Sequence, residues 1–204
     1  KMPLKSLDLS LCSIEDEDKA ITYINKISTL KRLHLANTIS NTGLNALHLS
    51  NVKDLVIGAC DVKRPAKSKL KVLLLGGSIS NMNHSLPIIL EFKKLIALDL
   101  RGAILTRNHL MSLAELPLNQ IDLRMGDDQI EHCPSKADLL DFARAIREKH
   151  HKDVTIHNGS VLKWQNLKLN ENGEFDDTEY ESYSDESDES DEQFNSTLGL
   201  STYS

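Results

Sequence analysis

One frame recurs along the first 160 or so residues and leaves this chain few ways to fold. Leu4-Lys-Ser-Leu7-Asp-Leu9-Ser-Leu-Cys12-Ser-Ile14 reads LxxLxLxxCxI. The frame returns at Val52-Lys-Asp-Leu55-Val-Ile57-Gly-Ala-Cys60-Asp-Val62 and at Leu95-Ile-Ala-Leu98-Asp-Leu100-Arg-Gly-Ala103-Ile-Leu105. Leu30-Lys-Arg-Leu33-His-Leu35-Ala-Asn-Thr38-Ile39 and Leu70-Lys-Val-Leu73-Leu-Leu75-Gly-Gly-Ser78-Ile79 shift only the last apolar residue. Leu118-Asn-Gln-Ile121-Asp-Leu123 keeps the start, and Val154-Thr-Ile156 leading to Val161 is weaker still. First positions are separated by 26 (4 to 30), 22 (30 to 52), 18 (52 to 70), 25 (70 to 95) and 23 (95 to 118) residues. A fixed frame at such spacings marks repeated supersecondary units, each needing its neighbours to bury an apolar face.

The frame resembles the leucine-rich repeat family, in its irregular, ribonuclease-inhibitor-like form, from about Leu4 to Val161. The resemblance implies an α/β fold: a right-handed β/α horseshoe solenoid of about six or seven repeats, with a parallel sheet on its concave face. Each x-Leu-x-Leu-x would be a short strand with its leucines in the core. The ninth position, Cys12, Thr38, Cys60, Ser78, Ala103 and Gly126, would turn inward, which makes the two cysteines structural.

Helical periodicity fills the connections. Ile21, Ile24, Ile27 and Leu30 predict a helix over Lys19–Leu30, and 86–92 and 108–116 read alike. A further helix is expected over Lys136–His150, with Leu139, Phe142, Ala143 and Ile146 as its apolar stripe and Ser135 as its cap. This helix, 135–150, with a strand at Val154–Ile156, would close the last edge. Leu167-Lys-Leu169 would add a final strand. The domain is expected to span 1–165. The first repeat begins almost at once, so its leucines are expected to lie open unless further chain covers them.

The net charge of −6 divides unequally. All 24 basic residues precede Glu171, with 18 of the 30 acidic ones; the remaining 12 acidic residues lie in 171–204. The body is therefore +6 and the tail −12. Residues 166–204, with the run YESYSDESDESDEQ, are expected to form a disordered acidic, Ser-rich tail. The tail would serve as solubiliser, as electrostatic partner of a basic surface, or as an address. Glu186, Glu189 and Glu192 followed by QFNSTLGLSTYS resemble the C-terminal signals of bacterial type IV secretion effectors. That resemblance implies a cytoplasmic protein translocated into a host cytosol. Ser182 and Ser184 lie beside acids, as acidophilic kinases require. Three cysteines, an odd and widely spaced set, fit a reducing compartment. Apolar runs stop at four residues, as in Val72–Leu75, so neither a secretory signal nor a membrane helix is expected.

No GxSxG, HExxH, phosphate loop or calcium loop is present, and no zinc spacing, so no cofactor or metal is expected. Gly76-Gly77 lacks a following Lys-Ser/Thr. His132-Cys133 is the nearest approach to a nucleophile, and His150-His151 ends a helix.

Recognition is the alternative to catalysis, and the frame locates the surface. Residues beside the core leucines should face outward. The middle row reads Asp8, His34, Val56, Leu74, Asp99, Asp122, Thr155. The row before it reads Ser6, Arg32, Asp54, Val72, Ala97, Gln120, Asp153, and the row after it includes Arg101 and Arg124. The expected partner-binding residues are Arg32, His34, Asp54, Val56, Val72, Leu74, Asp99, Arg101, Asp122 and Arg124: exposed apolar anchors within a charged rim. Lys5, Lys31, Lys53, Lys71 and Lys152 add a basic row. Nucleic acid is disfavoured by the few aromatics and the acidic tail. The expected function is a non-enzymatic protein-protein interaction module that masks or inhibits a partner, for instance at an enzyme active site, acting as an effector or effector regulator. The alternatives are an acidic-tailed regulator of basic proteins, or a fragment of a larger enzyme.

Overall fold

A computed structural model describes residues 3–10, 12–35, 43, 46–57, 69–75, 79, 81–159, 163–175 and 180–182. Among the described residues nine strands form one sheet whose spatial order is the sequence order. They are β1 (Ser6–Asp8), β2 (Arg32–His34), β3 (Asp54–Val56), β4 (Val72–Leu74), β5 (Ala97–Asp99), β6 (Gln120–Asp122), β7 (Thr155–Gly159), β8 (Lys163–Leu167) and β9 (Tyr180–Ser182). β1 to β7 are parallel, and β8 and β9 add antiparallel pairs. Four helices are described: α1 (Glu17–Asn25), α2 (Met82–Ile89), α3 (Arg107–Leu113) and α4 (Lys136–His150). The fold is α/β.

The register follows from the repeated leucines. Leu7, Leu33, Leu55, Leu73, Leu98, Ile121 and Ile156 are successive partners across β1 to β7. From Leu33 onward they are fully buried, in one core with Ile21 and Ile24 of α1, Ile89 of α2, Leu110 of α3 and Phe142 of α4. Each such side chain contributes about 1.5–3 kcal/mol by leaving water. At β1 the core is thinner: Leu7 and Leu9 are half-buried and Leu4 is exposed.

Each of the four α-helices named above opens on a side-chain cap. Asp16, Asn81, Thr106 and Ser135 accept from the backbone N–H of Lys19, Asn83, His109 and Asp138. Each bond satisfies an N–H that the first turn cannot pair internally. At α3 the His109 ring returns the bond, its Nδ1 accepting from the Thr106 N–H at 3.2 Å. That leaves Nε2–H to donate to Asn83 Oδ1 (2.9 Å), which ties α3 to α2. The predicted helices are found with shifted ends. The first stops at Asn25, where a run of turns carries Ile27 and Leu30 inward. The second starts four residues before 86, at its Asn81 cap.

The C-terminal end differs most from expectation. α4 has the predicted bounds and cap, but it packs on α3. The edge of β7 is covered instead by β8, which starts and ends before the strand expected at Leu167–Leu169. Order also passes the expected boundary at 165. Leu167, Leu169 and Phe175 join the main core, and Leu169 bridges to Phe175. Arg147 of α4 fastens this segment, donating to the carbonyls of Asn170 (2.9 Å) and Leu169 (3.0 Å) and to Asp153 (2.6 Å). Arg144 adds a bond to Gly173 O (2.9 Å). The body's basic residues thus hold the first part of the expected tail; 176–179 and 183–204 lie outside the described residues.

Candidate functional site

The two outward rows exist in the predicted register through β6. Arg32, Asp54, Val72, Ala97 and Gln120 follow Ser6, and His34, Val56, Leu74, Asp99 and Asp122 follow Asp8. At β7 the prediction fails by two residues. Thr155 partners Gln120, and His157 partners Asp122. Val154-Thr-Ile156 lacks a full LxxLxL frame, so the expected rows fall two residues too early along the chain, and Asp153 is not in the rows at all.

This outer face has two characters. Over β1 to β3 it is open: the side chains of Asp8 and His34 are 56% and 36% exposed, and Arg32, Asp54 and Val56 are half-buried. His34 Nδ1 lies 3.3 Å from Asp8 Oδ2. Slight burial opposes ionisation of Asp8, but the N–H and hydroxyl of Ser10 and the His34 ring hold its pKa below the usual range. Asp54 is shifted the other way: burial raises it, against the pull of Arg32, Lys53, His34 and Lys71.

Over β4 to β7 the same face is buried. Val72 and Leu74, expected as exposed anchors, are 5% and 7% accessible. They pack with Ala97 and Val56 in a cluster separate from the main core. Asp99, Gln120, Asp122, Arg124 and His157 are buried as well. The charges expected to meet a partner meet each other. Arg124 makes a two-pronged pair with Asp122 (2.6 and 3.0 Å), and Arg101 does so with Asp99 (2.9 and 3.1 Å). Arg101 Nε also stands 3.7 Å from Asp122, which links the two pairs. Asp99 titrates above its ordinary value because burial, opposed by Arg101 and reinforced by Asp122, disfavours its charge. His157 is pushed down to about 4, first by burial and then by Arg124, against Asp122. Its ring is therefore neutral at pH 7, and its Nε2 accepts from the Gln120 amide at 2.8 Å. Sequence reasoning missed Gln120 and His157 as polar core, because the slipped register hid one beside the other.

The basic row runs along the strand starts. The N–H groups of Lys31, Lys53 and Lys71 donate to the carbonyls of Lys5, Lys31 and Lys53 at 2.7–2.8 Å. These four lysines are therefore stacked at one strand spacing, about 4.8 Å. Lys152 does not continue the row; its ammonium is bonded to Pro117 O and Asn119 Oδ1, and burial lowers its pKa.

The chemically suggestive residues are placed for structure. The Cys133 thiol donates to Gly159 O at 3.8 Å, and burial pushes its pKa up, away from the thiolate a nucleophile needs. Cys12, expected to turn inward, is exposed, whereas Ala103 at the same position is buried. Thr38, Cys60 and Ser78 lie outside the described residues, as do Gly58 and Gly76. A cavity of about 130 Å³ lies between α1 and residues 47–52. Aliphatic core side chains, Asn25, His48 and Asn51 line it, with no carboxylate, lysine or cysteine. Among the described residues no group of three or more His, Cys, Asp or Glu is placed to hold a metal. No described helix is long and apolar enough to cross a membrane.

Comparison with known proteins returns no match from any family model, curated protein or solved structure.

Proposed function

We propose that this chain is a leucine-rich-repeat solenoid that acts as a non-enzymatic protein-binding module, gripping its partner with the β1–β3 half of its concave face. The observation that carries this reading is the open half itself. Arg32, His34 and Asp54 surround Val56 on a rigid hydrogen-bonded sheet that remains accessible while the rest of the row is buried. Protein interfaces combine these parts: an apolar centre, a polar rim and little rearrangement on binding. The adjoining row of Lys5, Lys31, Lys53 and Lys71 favours an acidic partner surface and would speed its approach. The raised pKa of Cys133 argues against the thiol-enzyme alternative. A partner seated here has its contact surface masked, so inhibition is the simplest consequence.

The test is affinity capture by the full chain beside an Arg32→Glu/Val56→Asp double variant with an unchanged circular dichroism spectrum. Both residues are only half-buried, so the fold should survive. Capture should fall by about a hundredfold, the cost of two interface residues at roughly 1–2 kcal/mol each. Equal capture by both proteins would reject this half-face as the binding surface.

A further inference from the structure

Lys5, Lys31, Lys53 and Lys71 form a column along the border of the open half. Each comes one residue before a strand, and the backbone bonds between them fix their spacing and direction. The next positions in the column are Ile96 and Asn119, so the charge keeps to β1–β4. Lys5, Lys53 and Lys71 are exposed and Lys31 is half-buried. Among the described residues none of the four ammonium groups has a hydrogen-bond or ion-pair partner. Other basic side chains of the body do: Arg101 with Asp99, Arg107 with Asp141, Arg124 with Asp122, Arg147 with Asp153, and Lys149 with Glu115. Asp54 adjoins the column, but Arg32, Lys53 and Lys71 all act on it, so the local charge stays positive. Solubility alone is served by charges of mixed sign spread over a surface. Four like charges in register repel one another and offer a site to a stripe of opposite charge.

We propose that the partner of the open half presents an α-helix with an acidic stripe, laid across β1 to β4 with that stripe on the four lysines. This inference rests on the open half being the binding surface and names the partner chemistry that fits it.

Length favours a helix. From β1 to β4 the column crosses three strand spacings, about 14 Å. Helix positions i, i+3, i+7 and i+10 share a face and span about 15 Å, so one acid meets each lysine. Same-face side chains of an extended peptide recur about every 6.6 Å, and four of them would span about 20 Å, past the end of the column. Width agrees. Val56 follows Lys53 by three residues, about 10 Å along the strand. A helix with its side chains is about 10–12 Å across. With its acidic face on the lysines, such a helix brings a neighbouring apolar face onto Val56, as amphipathic helices do when they dock by one face.

The test uses two fluorescent peptides of about 14 residues, identical in composition and each stapled into a helix. One carries glutamates at i, i+3, i+7 and i+10 with leucines on the neighbouring face; the other spreads the glutamates around the helix. Anisotropy with the full chain at about 0.15 M salt should show the striped peptide binding about tenfold more tightly. Lys31→Ser/Lys53→Ser should weaken that binding about tenfold and flatten its salt dependence. Lys93→Ser/Lys94→Ser, at two exposed lysines outside the column, should leave it unchanged. Equal binding of the two peptides, no binding of either, or equal loss with either lysine pair overturns the proposal, as does indifference to Lys31→Ser/Lys53→Ser. The parent reading fails separately. In affinity capture, a partner lost by Arg32→Glu/Val56→Asp but kept by Lys31→Ser/Lys53→Ser leaves the open half as the binding surface and removes only the acidic helix.

Discussion

Asp8 and Asp122 occupy the same row of the same sheet and live in different chemistry. Asp8 sits at the open end beside an accessible histidine, while Asp122 is fully buried and locked to a guanidinium that is 1% exposed. Both accept a bond from the N–H two residues on, so the local turn is identical. What separates them is how accessible each is to water. Position in a repeat fixes the direction of a side chain; burial fixes what its charge is worth.

The most forceful way to break this contrast is to remove each carboxylate. Asp122→Ala leaves a buried arginine without its main counter-ion and should destabilise the fold by about 3–5 kcal/mol. Asp8→Ala should change stability by less than about 1 kcal/mol. Urea unfolding of the two variants decides the matter, and similar costs would erase the distinction between the halves.

Next comes pH. His157 titrates near 4 in the folded protein against 6.5 for a free histidine. The unfolded chain therefore binds more protons between those values, and folding stability contributed by neutral His157 is lost as pH falls from about 6.5 to about 4. A displacement of this size is worth about 3 kcal/mol. Asp99, shifted up, acts in the opposite sense, losing stability as pH rises above its unfolded value. The comparison to make is wild type against His157→Gln by denaturant titration at several pH values. The difference should shrink by that amount as pH falls across the window.

The smallest effect sharpens the apolar side. Leu74→Ala removes a buried side chain and should cost about 2–3 kcal/mol, whereas Val56→Ala should cost about 1 kcal/mol or less. A partner-binding defect in Leu74 variants would therefore be confounded by unfolding, which is why Arg32 and Val56 are the cleaner probes.

Much of this arrangement was legible in the sequence. A frame repeated in five good copies gives the register of six strands directly, since alternation along a strand is local and its leucines are unmistakable. The Asp-x-Arg pairs were legible too. Asp99 with Arg101 and Asp122 with Arg124 are two apart on a strand and so share a face. Their mutual neutralisation was available before any coordinates. Burial of Val72 and Leu74 was not, because alternation along a strand gives the direction of a side chain and not its accessibility. The slip at β7 has a plainer cause: in its register Asp153 and Asn158 stand where the frame elsewhere carries its first and last leucines.

The strands begin at residues 6, 32, 54, 72, 97 and 120, yet each meets its neighbour residue for residue. Connections of unequal length thus return the chain to one common register. Lengthening or shortening a connection leaves the row of exposed side chains where it was. Adding one residue inside a strand exchanges its core and surface sets at once. Mutation can therefore explore the loops by insertion and deletion while the outward row changes only by substitution, so the two kinds of genetic change act on different parts of the molecule.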